Sequence, residues 1–338
     1  MDDSFLYYLV SDFRENIEVE LRSNCSSCID HPSKANIEHI LNEIQGGGRQ
    51  CILFGGVKRL AGIINEQYEL PENVIFLNFS DGLKQSYSRV QVPLLCEIIE
   101  APYSGTGVFE SALINNKYCT NLTLGARGIK VPRSIRVTKN YMPSPDDIEC
   151  MLPVFIKPNT EGSSIGITQD SLQKNVIGAI AYIKRMLTIF DDILIEEYVA
   201  GYDMTVFLIG NHGVFSCNEA LYLTSNDSEF LTDVSKAHGK VARMSASEVI
   251  GKDLSKALCL QAAKTFSLLG CRDYARLDYR ISEDHNIFFI EANTCPRVSE
   301  SSEIGHIAYM KNSSFGDYVN LLVTTVEDRV SSCLSGQS

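Results

Sequence analysis

The chain has 338 residues, enough for two or three domains with separate cores, and its 44% apolar content excludes a disordered or fibrous protein. A formal net charge of −12, with no basic stripe, speaks against a nucleic-acid partner. No segment approaches the length of a membrane span, and Met1-Asp2-Asp3 does not open a secretion leader, so a cytoplasmic protein without membrane contact is expected. Eleven cysteines, an odd number scattered along the chain, fit reduced thiols better than a disulfide framework. Cys25 and Cys28 form the one CxxC, with His31 nearby, but no second ligand pair completes a zinc site. Cys96 and Cys259, in apolar surroundings, read as core fillers.

In chain order, residues 6–10, 51–54 and 74–78 read as strands and 37–44 as a helix, an alternation that predicts a small parallel α/β domain. Pro102-Tyr103-Ser104-Gly105-Thr106-Gly107 punctuates its end. A helical stretch runs through Lys117, and strands are expected at 134–137 and 151–157. Residues 161–166, Glu-Gly-Ser-Ser-Ile-Gly, form a loop of small residues whose backbone N–H groups could surround phosphate oxygens, although a Gly-Ser turn is by itself commonplace. Strands follow at 193–199 and 204–209, then a largely polar segment over 211–247 that holds Lys236 and Lys240. Residues 254–269 form an amphipathic helix closed by Gly270.

Two further strands carry the densest chemistry. Arg276-Leu277-Asp278 and Phe289-Ile290-Glu291-Ala292-Asn293 flank the turn-prone residues 283–286. Side chains two apart share a strand face, so Arg276 lies beside Asp278 and Glu291 beside Asn293. Two carboxylates, an amide and a guanidinium suit Mg2+ carrying a nucleotide, since that ion takes few protein carboxylates and completes its shell with water and phosphates. The same residues could equally form the wet polar face of a hairpin.

Taken in order, Pro102 to Gly107, Asn116-Lys117, Lys157-Pro158, the 161–166 loop, Glu196-Glu197, Arg276-Leu277-Asp278 and Glu291-Ala292-Asn293-Thr294 resemble the D-alanine–D-alanine ligase branch of the ATP-grasp superfamily. The resemblance runs clearly over residues 102–322 and more loosely before them. It implies a three-domain α/β and α+β enzyme: an N-terminal parallel α/β domain (1–104), a central subdomain (105–200) and a C-terminal subdomain (201–330). It implies ATP with Mg2+, as two ions that Mn2+ could replace. Lys117 and Lys157 would contact phosphates, and Ser163-Ser164 would lie in a lid above them. Glu196, Glu197 and Val199 would read adenine, and Asp203 would take the ribose. Asp278, Glu291 and Asn293 would hold metal, and Arg276 and Lys236 would meet the transferring phosphoryl group. The implied reaction joins a small-molecule carboxylate to an amine, with amino acids expected as the substrates, through an acyl phosphate; a homodimer is compatible with it.

The amino-acid half departs from the family pattern. Its Gly-Gly-x-Ser-x-Glu element corresponds to residues 11–16, so the glutamate aligns with Asn16, or with Glu15 in a register one residue shifted. The His-Gly-x-x-Gly-Glu-Asp-Gly motif is absent, and the tyrosine after Lys236 is Ala237. Pro-Gly-Met-Thr is replaced by Pro296-Arg297-Val298-Ser299, and Ser-Leu by Ser302-Glu303. With Asn16, Arg297, Ser302 and Glu303 on the substrate side and Arg297 also near the chemistry, the expectation is a ligase preferring a charged partner over D-alanine. Authentic D-alanine–D-alanine ligation and a nucleotide sensor without catalysis are the alternatives. Glu300 and Glu303 could instead be a solvated helix start.

Overall fold

The computed structural model describes residues 5–21, 31–66, 68–83, 87–162, 164–225 and 241–336. Cys25, Cys28, Ser163, Lys236, Lys240 and Ala237 lie outside the described residues.

Three parallel strands, β1 (Leu6–Val10), β2 (Gln50–Gly55) and β3 (Val74–Asn78), pair in the order β2-β1-β3. Strand β1 is apolar on both faces because both are covered. Tyr7 and Leu9 join a core with helices Lys34–Gly46 and Phe315–Leu334. Tyr8 and Val10 face helices Val57–Glu66 and Gln91–Ile98.

A second sheet has the order β4-β7-β5-β6, from β4 (Ser134–Thr138), β5 (Val154–Pro158), β6 (Leu172–Gln173) and β7 (Asp192–Glu197), all antiparallel. Its apolar face packs on helix Val176–Met186 through Ala179, Tyr182, Ile183 and Met186. Strand β5 begins at Val154, later than the expected 151, because Pro153 has no N–H to give a ladder.

The third sheet, β10-β9-β8-β11-β12, is antiparallel and comprises β8 (Tyr202–Asn211), β9 (Val214–Ser225), β10 (Val241–Ser245), β11 (Tyr274–Ile281) and β12 (Ile287–Asn293). One face packs against helix Lys252–Leu268. The other contributes Phe207, Ile209, Cys217, Leu221 and Tyr274 to the core shared with the N-terminal sheet. Strands β9 and β10 correct the expectation of a polar connecting segment over 211–247: Cys217, Ala220, Leu221 and Leu223 are buried between the polar positions. The nine cysteines among the described residues are free thiols, and Cys96 is fully buried as expected.

The helical stretch expected to run through Lys117 breaks one residue earlier. Asn116 ends helix Val108–Asn115 and caps helix Lys117–Gly125, its side-chain oxygen accepting from the Cys119 N–H at 3.0 Å. Lys117 therefore starts a helix, its buried side chain lining a small cavity beside Glu291.

Candidate active site

Pairing of β11 with β12 sets Arg276 opposite Asn293 and Asp278 opposite Glu291. Facing residues in a ladder share a side, so all four side chains gather on one face. Asp278 is tightly held. Its Oδ1 accepts from Thr205 Oγ1 of β8 at 2.6 Å and from Arg276 Nε at 3.0 Å, while Oδ2 accepts from Arg276 Nη2 at 2.9 Å. The Asn293 side-chain oxygen accepts from the Cys295 N–H at 3.0 Å, which turns the chain at the end of β12.

Two lysines flank this face. The Lys117 ammonium lies 3.5 Å from Glu291 Oε2 and donates to the Glu161 carbonyl at the start of the small-residue loop. Burial, with Lys157 as a like-charged neighbour, pulls its pKa down against the opposing pull of Glu291. Lys157 on β5 pairs with Glu196 on β7 at 2.7 Å, both side chains 4% exposed. Asn121 donates to the other Glu196 oxygen at 3.0 Å.

Lys157, Ser164, Glu196, Glu197, Val199, Asp203, Asp278 and Glu291 all line one cleft between the second and third sheets. A smaller cavity on the other side of Glu291 is lined by Lys117, Gly162, Asn293 and Arg89. Arg89, which the sequence reading did not single out, is anchored by Asp81 at 2.9 Å. Arg280 is a second such residue. It lies 3.4 Å from Asp203, donates to the Gly201 carbonyl at 2.8 Å and sits over the Tyr198 ring at 5.1 Å. The two-residue spacing from Arg276 through Asp278 to Arg280 was the available signal for it.

The substrate residues separate. Arg297 is exposed and lines a small pocket with Asp81, Asn36, Phe79 and Cys295, between the N-terminal sheet and the segment after β12. Burial pushes the Cys295 thiol up to about 12, which keeps it protonated. Asn16 is exposed on helix Arg14–Leu21, and Glu15 accepts from the Lys34 N–H. Two expectations are corrected. Ser302 is buried, and its hydroxyl accepts from the Ser299 N–H and donates to the Ser299 carbonyl, so its hydrogen bonds are used within the loop. Glu303, 5% exposed, is neither a solvated helix start nor turned to a substrate ammonium: it is ion-paired with Arg243 and Arg276. Burial opposes its charge, yet Arg276 and Arg243 together hold its carboxyl below the ordinary range.

The donor set fits Mg2+ and a polyphosphate. Two carboxylates and an amide share one face, oxygen ligands of the kind that Mg2+ takes alongside water and phosphate oxygens. The three-sheet architecture with a cationic, carboxylate-lined cleft between two antiparallel sheets defines an ATP-grasp enzyme. A family model described as "D-ala D-ala ligase C-terminus" matches residues 127–324, so the chain belongs to the D-alanine–D-alanine ligase family. It is 30% identical over 241 residues to a D-alanine–D-alanine ligase of Desulforamulus reducens, covering 68% of this chain and 74% of that protein. The fold is also that of a Bacillus anthracis D-alanine–D-alanine ligase complexed with ATP (TM-score 0.72, 14% identity, 96% of this chain and 98% of that one). It is likewise that of a VanG D-Ala:D-Ser ligase from Enterococcus faecalis (TM-score 0.73, 17% identity, 96% and 99%). The protein is an ATP-dependent ligase that forms a C–N bond. Among the described residues no helix is long and apolar enough to cross a membrane.

Proposed function

We propose that this ligase joins the carboxyl group of D-alanine to the amine of a second small D-amino acid, with D-alanyl-D-alanine as the leading product. The observation that carries the reading is the convergence of Arg276, Asp278, Glu291 and Asn293 on one face, with Lys117 and Lys157 beside them. The relative from D. reducens, named as a D-alanine–D-alanine ligase, supports the substrate class. The contrary expectation of a charged partner leaned on Glu303, whose charge is met inside the protein. A second reading, a carboxylate-bearing acceptor, rests on Arg297, which is exposed at the pocket it shares with Asp81.

In this reading Lys117 and Lys157 hold the phosphates of ATP, Glu196, Glu197 and Val199 meet the adenine, and Asp203 takes the ribose. Asp278, Glu291 and Asn293 hold Mg2+, as two ions, which when bound offset the charge of the phosphates. Ser164 covers the phosphates, and Ser163 and Lys236 are assigned to phosphate contact by family resemblance alone. The substrate carboxylate attacks the γ-phosphorus and ADP leaves, giving an acyl phosphate. The second substrate's amine then attacks the carbonyl carbon, the amide bond forms and inorganic phosphate departs. Arg276 presents a fixed guanidinium to the negative charge that grows in both steps.

The test is to supply Mg-ATP with D-alanine alone, with D-alanine paired with D-serine or acidic and basic D-amino acids, and with the L-enantiomers, and to identify products by mass. D-alanyl-D-alanine formed with matching ADP supports the reading. ADP and dipeptide only with L-amino acids, or only without D-alanine, would reject it.

A further inference from the structure

Arg276 is held at two edges by different carboxylates. Its Nε and Nη2 grip Asp278, and Nη1 lies 3.7 Å from Glu303 Oε2. Glu303 in turn accepts through Oε1 from Nε and Nη2 of Arg243, at 3.1 and 2.9 Å. Arg243 stands on β10, three strands from β11 in the sheet order, a span of about 14 Å at the usual strand spacing. Glu303, at the first turn of helix Glu303–Met310, closes that gap. The result is a line of alternating charges, Arg243, Glu303, Arg276 and Asp278, of which the Glu303 side chain is 7% exposed and the Arg276 side chain 15%.

The two grips on Arg276 are not equivalent. Asp278 already accepts from Thr205 and is the carboxylate we assign to Mg2+, so a bound cation competes with Arg276 for the same lone pairs. Glu303 lines neither the cleft nor the small cavity beside Glu291, and both of its oxygens face guanidinium groups. Without Arg243, the Glu303 carboxylate would have one cation to offset its burial and more freedom to draw Arg276 away from Asp278. We propose that Arg243 and Glu303 form a positioning pair that fixes the Arg276 guanidinium toward the reacting phosphoryl group while Asp278 serves the metal. This inference rests on the role given to Arg276 above.

The experiment compares wild type with Glu303→Gln, Arg243→Gln, Arg243→Lys and the double Gln variant. It reads the D-alanine-dependent rate of ADP release per folded molecule, KM for ATP, and the affinity of Mn2+ for the protein–ADP complex by electron paramagnetic resonance. Misplacing one catalytic group by about 1 Å costs on the order of 100-fold, so each Gln variant is expected to lose about 30- to 100-fold in kcat. KM for ATP is expected to stay within about twofold, because the phosphate-facing lysines are untouched. Arg243→Lys restores part of kcat, and the double variant is no worse than the poorer single one, as for two members of one device. In Glu303→Gln, Arg276 leans on Asp278 alone and Mn2+ affinity falls, an effect that simple loss of packing would not produce. Wild-type kcat in folded Glu303→Gln, or additive losses in the double variant, would overturn the pair's role. Should wild type show no D-alanine-dependent turnover, the substrate reading fails instead, and the Mn2+ titration alone decides this inference: unchanged affinity in Glu303→Gln overturns it and weakened affinity upholds it.

Discussion

Asp278 and Glu291 face each other across the β11–β12 ladder, and each has a cation at close range: Arg276 for the first, Lys117 for the second. Replacing either carboxylate by its amide hardly changes volume but removes an anion from the proposed metal-binding set. Asp278→Asn and Glu291→Gln are therefore expected to abolish ADP release with the fold retained, measured by turnover beside near- and far-ultraviolet circular dichroism. Activity near wild type at saturating Mg2+ in both would remove them from the metal site. Glu303 gives a pH prediction of defined sign. Its carboxyl titrates lower in the folded protein than in the unfolded chain, where the usual glutamate value is about 4.3. Its stabilising contribution is thus complete above that value and is lost as pH falls through the lower folded one. Denaturant midpoints taken downward from pH 6 should fall more steeply for wild type than for Glu303→Gln, and parallel slopes would contradict this.

Strand connections impose their own constraints. Gly201 turns the chain between β7 and β8 at φ +137°, and a Cβ there would lie 1.9 Å from the Ile281 carbonyl oxygen. Both the backbone conformation and the backbone contact exclude a side chain. Gly201→Ala is expected to lower stability by about 1–3 kcal/mol, read from chemical denaturation. It should also weaken nucleotide binding, since Arg280 donates to the Gly201 carbonyl and pairs with Asp203 in the cleft. The elements most legible in the sequence were those with one clear periodicity. Residues 6–10 and 74–77 are continuous apolar runs covered on both faces, and the parity of Arg276 with Asp278 and of Glu291 with Asn293 follows from the pleat alone. Strand β9 was obscured because Ser216, Asn218 and Glu219 interrupt its apolar positions, and the turn residues Asn211, His212 and Gly213 precede it. The surroundings of Glu303 could not be read from sequence. Its partners Arg243 and Arg276 come from distant strands, and only the packing of helix Glu303–Met310 onto the sheet brings them together.

Across the molecule, Asp273 ties the exit from the N-terminal sheet to the third sheet and the C-terminal helix. This fully buried carboxylate accepts from the Gly105 N–H at 2.7 Å, from Asn211 Nδ2 at 3.0 Å and from both Nε and Nη2 of Arg329 at 2.7 and 2.8 Å. Arg329, on the C-terminal helix Phe315–Leu334, also donates to the Tyr103 carbonyl at 2.7 Å, where the chain leaves the N-terminal sheet. Removing one partner of a buried ion pair costs about 3–5 kcal/mol, so Asp273→Ala should lower stability by about that much, read from equilibrium denaturation. A loss below about 1 kcal/mol would show that the junction holds without it.

The proposed reaction activates a carboxylate by phosphoryl transfer before the C–N bond forms. Its most direct test supplies D-alanine labelled with 18O in both carboxyl oxygens, with unlabelled ATP and water, and follows the isotope into released phosphate by mass spectrometry. An acyl phosphate passes one carboxyl oxygen to phosphorus, so one 18O is expected in each phosphate released with dipeptide. Unlabelled phosphate accompanying dipeptide, or ATP cleaved to AMP and pyrophosphate, would contradict it.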